Sequence, residues 1–297
     1  MRFSLRHLQI FVAVAHDGNV SAAADALAMS QSAASAALLE LERRYGNPLF
    51  DRAGKRLRIN ETGRALLAPA RDLLDRAAEI DALLAGRKGP GTFRLGATQT
   101  IGNHVAPRLI HAYTQRHPGA VPALEIDNTA SIVARIADFS LDIALVEGEY
   151  AHPDLLVRDW LGDELVMICA PGHRLAGRAR CPIDDLLAER WVVREPGSGT
   201  RQTLDRAMHP HWSDWRIAME VQQIEAIIEM VAVSDLIGCV SELAARDALA
   251  QGRVARLQVA DLDLHRRFYI VSHREKYVTS GVRAFLDICD EATSGDD

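Results

Sequence analysis

The chain has four cysteines in 297 residues, and no two of them are near one another. Cys169, Cys181, Cys239 and Cys289 make no Cys-x-x-Cys pair and stand at no spacing to histidine that suggests zinc. This pattern excludes a disulfide framework and leaves buried, inert thiols as the expectation. His209 and His211, with Trp212 after them, look like a chelating pair, but no third ligand is nearby, so a surface loop is expected. No run approaches the roughly 18 apolar residues of a membrane span, and the first five residues, Met1 to Leu5, lack the apolar core of a secretory signal. The expectation is a cytoplasmic protein with no membrane partner. Aromatic residues make up 5% of the chain, which weighs against a pocket built around a ring compound.

A scarcity of positive charge is the next restriction, and it is uneven. The net charge of −6 argues weakly against a nucleic-acid partner. Residues 1–64, however, hold nine Lys/Arg against six Asp/Glu, a balance of +3, leaving twenty-five against thirty-four, or −9, for residues 65–297. A small basic head precedes a large acidic body.

The head reads as helices. Leu5, Leu8, Ile10, Phe11, Val14 and Ala15 recur at helical spacing until Asp17 and Gly18 end the segment. Ser21 is the expected cap of a short second helix filled by Ala22, Ala23, Ala24, Ala26 and Leu27. After a turn at Met29, Ser30 caps a third helix running to about Tyr45, with Gly46 as its stop. Ala34, Leu38, Leu41 and Tyr45 form its expected inward stripe, leaving Gln31, Ser32 and Ser35 outward.

Between Ser30 and Leu39 this third helix has no charge at all. That suits the second helix of a helix-turn-helix, because hydrogen bonds to base edges and contacts with thymine methyls need Gln, Ser and Ala rather than charge. Phosphate contacts position a protein without reading sequence. The charge for them is displaced onto Arg43, Arg44 and the stretch "NPLFDRAGKRLRINETG", a β-hairpin wing carrying Arg52, Lys55, Arg56 and Arg58. The alternative is an alanine-rich helical hairpin packed in a core, followed by an ordinary surface hairpin.

Residues 64–86 place Leu66, Ala70, Leu73, Ala77, Ile80 and Leu84 at spacings of four and three, a narrow seam that suits an identical partner helix. The alternative is a long helix lying on its own domain. "GRKGPG", 86–91, then breaks the helix and reads as a hinge.

Residues 1–86 resemble the DNA-binding head and linker helix of LysR-type transcriptional regulators, most specifically in "SQSAASAALLELERRYGNPLFDR". "TIGN", "EPGSGTR" and "IEAI" resemble the YeiE-like subgroup, near the regulators of sulfur and carbon assimilation. Ala36 and Leu39 stand where many members of the family carry basic residues, and Gln222 and Gln223 where relatives tend to have a small polar pair such as Gly-Asn. These departures bear on the operator and on the effector respectively.

From Thr92 onward short apolar strands alternate with helical stretches, an α/β pattern with parallel sheets. The resemblance implies a winged helix-turn-helix head (1–63), a linker helix for dimerisation (64–86), a hinge (87–91) and an effector-binding domain (92–297). It further implies that this last part is a periplasmic-binding-protein-like pair of α/β subdomains, the first from 92–163 and 267–297, the second from 164–266.

Ligands in such folds lie beyond the C-terminal ends of strands. Two loops there carry matching chemistry. "GATQTIGN" offers Thr98, Thr100 and Ile101 ahead of a helix with Pro107 early in it; "REPGSGTR" offers Glu195, Gly197, Ser198, Gly199, Thr200 and Arg201. Glycines let a ligand approach the backbone, hydroxyls donate, and arginine supplies charge, a combination that suits a small anion. The second loop lacks the Gly-Lys-Ser/Thr ending of a nucleotide-binding loop and the Gly-x-Ser-x-Gly of a hydrolase, although a structural turn with a helix cap would look similar. Asn128, with Thr129 and Ser131, is a weaker candidate for the same cleft. Glu147 is another, its charge requiring Arg194, Arg201 or a proton.

The expectation is therefore a DNA-binding regulator, not an enzyme and without a cofactor, controlled by a small oxyanion, sulfite first among the candidates and phosphate or a small carboxylate behind it. Its expected partners are double-stranded DNA, the anionic effector and copies of itself, as a dimer through the linker helix and then a tetramer; RNA polymerase is a further candidate. The rivals are a solute-binding protein and an α/β enzyme without a DNA role.

Overall fold

The computed structural model describes residues 2–53, 56–86, 89–148, 150–209, 215–259 and 262–294. It opens with α1 (Leu5–Asp17), α2 (Val20–Ala26) and α3 (Gln31–Tyr45). Helices α1 and α3 both end on a glycine in the left-handed region, Gly18 at φ 62° and Gly46 at φ 69°, a conformation that costs a side-chain-bearing residue more. Ser30 caps α3 by accepting from the Ala33 N–H at 3.2 Å. The cap of α2 is Asn19 and not Ser21: the Asn19 Oδ1 accepts from the Ser21 N–H at 2.8 Å, so the helix starts one residue before the serine.

Leu8, Phe11 and Val14 of α1 meet Ala23 and Ala24 of α2 and Ala34, Leu38 and Leu41 of α3 in one core. The alanines of α2 bring its backbone close to its neighbours. Tyr45, expected in the inward stripe, is exposed in the last turn, where the chain leaves the helix through Gly46.

Strands β1 (Phe50–Ala53) and β2 (Arg56–Ile59) pair antiparallel from Phe50↔Ile59 to Ala53↔Arg56. The Phe50 ring, 5.7 Å from that of Phe11, anchors this hairpin on the helices. Gly54 and Lys55, at its expected turn, lie outside the described residues.

Helix α4 (Glu61–Leu84) begins three residues before the expected Arg64, because Asn60 caps it by accepting from the Gly63 N–H at 2.9 Å. Its first turns, with Leu67, Ala68 and Ala70, belong to the head core, which absorbs the start of the expected seam. Leu73, Ile80 and Leu84 are exposed. Another face of the helix docks on the chain's own body. Asp72 accepts from the Tyr277 N–H at 2.8 Å, Glu79 from the Ser280 N–H at 2.7 Å, and Lys276 Nζ lies 2.9 Å from Asp75.

The body runs β3 (Arg94–Thr98), α5 (Gln99–His104), α6 (Ala106–Arg116), β4 (Ala123–Asp127), α7 (Thr129–Ala137), β5 (Ile143–Glu147) and β6 (Leu155–Cys169). It continues with α8 (Ile183–Leu187), β7 (Arg190–Arg194), α9 (Gly199–Met208), β8 (Arg216–Val221), α10 (Ile224–Ala232), β9 (Ile237–Ser241), α11 (Glu242–Ala250), β10 (Ala255–Leu257), β11 (His265–His273) and α12 (Ser280–Ser294). Where one helix was expected after "GATQT" there are two: α5 stops at Val105 and Pro107, which has no N–H to donate, stands in the first turn of α6.

Strand order is β4-β3-β5-β11-β6-β9-β7-β8, with β10 against β6. Pairing is parallel among β4, β3 and β5 and among β8, β7 and β9, as the alternation with helices requires. The expected parallel sheets give way to antiparallel pairing where the halves join. β11 runs against β5 and against Leu155–Glu164 of β6, while Leu165–Ile168 of the same strand pairs with β9. The 15-residue β6 thus serves both halves. Phe93, Tyr113, Trp160 and Phe285 centre one core; Trp191, Leu204 and Met208 belong to another across the junction.

Candidate functional site

Two regions bring candidate residues together. In the head, Ser30, Gln31, Ser32 and Ser35 are all exposed along one end of α3, and Arg52, Arg56 and Arg58 are exposed on the hairpin. The uncharged polar groups therefore lie at the start of α3, while the arginines lie on the hairpin and in the last turn of α3. Arg44 is held on its own head, donating to the Arg2 carbonyl at 2.7 Å and paired with Glu40. Leu39, on the same face as Ser35 and Ala36, is exposed.

In the body, the ends of β3 and β5 meet the start of α9. Thr100 and Thr200 are buried and both of their hydroxyls accept from one guanidinium, that of Arg266, at 3.1 and 2.9 Å. Arg266 also donates through Nε to Asp163 at 2.6 Å, and its Nη1 lies 3.4 Å from Glu147. Ser241 completes the Asp163 shell at 2.9 Å. Burial pushes the Asp163 carboxyl up, and the neighbouring Arg266 cation only partly offsets this. Glu147 has its cation, but that cation is Arg266 and neither Arg194 nor Arg201 as the sequence led us to expect.

Arg201 is differently placed. It donates to Asp205 at 2.7 Å, to Glu220 at 2.7 Å and to the Arg194 carbonyl at 3.0 Å, and its guanidinium lies 5.7 Å from the Trp215 ring centre. It braces α9 and does not join Thr100 and Thr200. Ile101 points into the apolar core of the first half. The Ser198 oxygen caps α9, accepting from the Arg201 N–H at 3.4 Å, so the helix-cap alternative holds for that acceptor while its O–H remains able to donate.

Asn128 caps α7 and also donates to Glu195 at 3.2 Å. Glu195 in turn receives Arg194, which is 2% exposed, through Nε at 2.8 Å. Gly197 and Gly199 lie against the first half: the Ala130 N–H donates to the Gly197 carbonyl at 3.1 Å, and the Gly199 N–H to the Thr129 hydroxyl, also at 3.1 Å. These bonds close the two halves on each other around Arg266. Thr98, 1% exposed, lies at the end of β3 in the same wall.

Sequence reasoning missed Arg266, Asp163 and Ser241, and named Arg194 only as a partner for Glu147. Arg266 had a signal: on β11 it shares the alternating parity of Phe268 and Ile270, so a charge falls on the buried face of a strand. The cysteines are buried and free. Burial raises the Cys169 thiol to about 11 and those of Cys239 and Cys289 to about 12, which keeps them protonated and unreactive. His211 and Trp212 lie outside the described residues, and among those described no group of three or more His, Cys, Asp or Glu could hold a metal. No described helix is long and apolar enough to cross a membrane.

Residues 5–64 match the family model of the bacterial regulatory helix-turn-helix protein, lysR family, and residues 86–294 that of the LysR substrate binding domain. The chain is 38% identical over 292 residues to YeiE of Escherichia coli (strain K12), an uncharacterized helix-turn-helix-type transcriptional regulator, covering 98% of this chain and 99% of that one. Among solved structures, a full-length OxyR from Pseudomonas aeruginosa, carrying a cysteine-to-aspartate substitution, superposes with a TM-score of 0.71 at 20% identity, covering 98% of this chain and 94% of that one. The regulatory domain of CcmR from Synechocystis PCC6803, solved in complex with 2-PG, gives 0.64 at 28% identity over 68% of this chain and 97% of that one. A helix-turn-helix head followed by two α/β halves closed around a polar cleft, matched by both family models, makes this chain a member of the LysR family of DNA-binding transcriptional regulators.

Proposed function

We propose that this regulator binds a small oxyanion, with sulfite as the leading candidate, in the cleft between its two α/β subdomains, and that this ligand sets how its paired heads engage an operator. The observation that carries the reading is the buried Arg266 guanidinium, which joins the Thr100 hydroxyl of one half to the Thr200 hydroxyl of the other. An anion entering there gains charge-assisted bonds to groups from both halves, so its binding favours one relative placement of them. Subdomain boundaries at 163/164 and 266/267 put Arg266 at the crossover, where a shift of either half reaches it. The regulatory domain of CcmR was solved in complex with 2-PG, which is in keeping with a small-molecule effector here.

In the head, Gln31, Ser32 and Ser35 read base edges, while Arg52, Lys55, Arg56 and Arg58 bind phosphates. The exposed Leu73, Ile80 and Leu84 of α4 suit a second copy of the same helix, giving a dimer and, through the bodies, a tetramer that works in the cytoplasm.

Calorimetry and thermal melting of the full chain with sulfite, sulfate, phosphate and a neutral aromatic metabolite test the effector reading. An anion at a hundredfold excess over its Kd should add about 2.7 kcal/mol of stability. Arg266→Met should abolish that increment. Binding of the neutral aromatic compound with no response to any anion would overturn the reading.

A further inference from the structure

Three buried polar atoms around the cleft have no hydrogen-bond partner among the described residues: Thr98 Oγ1, Glu147 Oε2 and Arg194 Nη1. Buried polar groups in folded proteins are almost always paired, so three of them, each at the end of a strand, point to a ligand. Thr98 and Glu147 end β3 and β5, which are hydrogen-bonded parallel neighbours with Ala97 opposite Leu145. Arg194 ends β7 in the other half and is tied to the same wall through Glu195 and Asn128.

The three atoms differ in what they accept. A guanidinium only donates, a carboxylate only accepts, and a threonine hydroxyl does either. Oε1 of Glu147 is already an acceptor, taking the Thr200 hydroxyl at 3.4 Å with Arg266 Nη1 at the same distance. We infer that the cleft selects an oxyanion that still carries an acidic O–H, and that Glu147 is the residue that selects it by accepting that proton's hydrogen bond through Oε2. The inference rests on the reading of the cleft as an anion site and narrows the class of its ligand.

Hydrogen phosphate, hydrogen sulfite and hydrogen carbonate present oxygens to Arg194 and Arg266 and an O–H to Glu147. Sulfate and nitrate at neutral pH present oxygens only. Seating them would press a lone pair against a buried carboxylate that offers no donor, a repulsion in a setting where electrostatic interactions are strong.

Sulfate and inorganic phosphate are both tetrahedral and of similar size, so their ratio reads the proton. Titration calorimetry of the full chain at neutral pH with phosphate, sulfite and sulfate should give phosphate and sulfite each at least about tenfold tighter than sulfate, the order expected when a buried acceptor is left unpaired. Glu147→Gln places an amide donor at that position and should bring the sulfate to phosphate ratio to near one or invert it. Thr98→Val should weaken all three anions without changing their ratio. Equal wild-type affinity for sulfate and phosphate, or a ratio unmoved by Glu147→Gln, overturns the inference while leaving an anion site in place. Failure of all three anions to bind the wild type overturns the anion reading itself, and this inference with it. The wild-type ratio requires no variant, so a poorly folding Glu147→Gln leaves the test standing.

Discussion

Gly199 meets Glu147 so closely across the cleft that a Cβ built on the glycine would lie 2.2 Å from the Glu147 carbonyl oxygen. That carbonyl also accepts the Thr129 hydroxyl, and the same hydroxyl accepts the Gly199 N–H. The contact is backbone against backbone, so neither partner has a flexible end to move aside.

Gly199→Ala should therefore push the two halves apart and leave each core intact. Overpacking of this kind costs about 1–3 kcal/mol, which lowers the ratio of closed to open forms by roughly 5- to 150-fold. The expected outcome is faster amide hydrogen exchange around Gly199 and weaker anion binding, with little change in the melting of the head. Exchange at wild-type rates would show that the halves are not held by this contact.

The junction between linker helix and body gives a prediction about pH. Asp142 accepts from the Arg94 N–H at 2.7 Å and, through Oδ1, from its guanidinium at 2.6 Å, and Lys276 Nζ lies 2.9 Å from the same Oδ1, bridging to Asp75 of α4. Burial raises the Asp142 carboxyl, but the Arg94 bonds and the Lys276 and Arg94 charges outweigh it and hold the pKa at about 2, below the ordinary 3.8. A depressed folded value means the stabilisation is complete above 3.8 and disappears as pH falls toward about 2; its size is about 2 kcal/mol. Asp142→Asn should thus be less stable than wild type at pH 6 by at least this amount, with the gap narrowing between pH 4 and pH 2. Thermal melts of both proteins over that range provide the check, and a gap constant with pH would contradict the assignment.

How much of this was legible in the sequence depends on whether the signal was local. The glycines that end α1 and α3 and the Ser30 cap act within a few residues, and the structure has them where the pattern put them. Strand β8 carries no legible signal, because five of its six residues are exposed and no alternation of apolar and polar positions marks it. The first half of β6 was missed for a related reason: its side chains from Leu156 to Asp159 are all exposed, and what makes it a strand is β11, more than a hundred residues later. In the cleft, Thr100 and Thr200 were visible as hydroxyls at strand ends, but their shared partner Arg266 is distant in sequence from both. Arg201 looked equivalent from composition; only its contacts with Asp205 and Glu220 show that its guanidinium is engaged on α9 and β8 and not with Thr100 and Thr200.

The linker helix offers a third test. Asp72, Asp75 and Glu79 hold α4 to residues 276–280 of its own body, while Leu73 and Ile80 are 39% and 57% exposed. Replacing both with lysine should change the stability of the single chain little, by roughly 0.5 kcal/mol per site, as expected of surface positions. In a dimer the same lysines would be buried against an identical helix, which is strongly unfavourable for unpaired charges. Sedimentation of the Leu73→Lys/Ile80→Lys variant should show dissociation with unchanged helix content. An oligomer of wild-type size would place the interface elsewhere.

The proposed separation of reading on α3 from phosphate binding on the hairpin is open to test by single substitutions. Ser35 is exposed on α3 and carries no charge, whereas Arg56 is exposed on β2, opposite Ala53 in the hairpin. A hydroxyl at a base edge contributes differently to different bases, so Ser35→Ala should change the ranking of operator variants, by about 1–3 kcal/mol at the affected position if the contact is a full pair. A phosphate contact is the same at every sequence. Arg56→Ala should weaken all DNA alike and reduce the slope of log K against log salt by about 1. Leu39 sharpens the contrast, because an exposed apolar side chain beside Ser35 suits contact with a thymine methyl. Substituting deoxyuridine for thymine through the operator should find one position whose loss of affinity vanishes in Leu39→Ala. Fluorescence anisotropy across a salt series with these three variants is the measurement. Reranking by Arg56→Ala together with uniform weakening by Ser35→Ala would reverse the two roles.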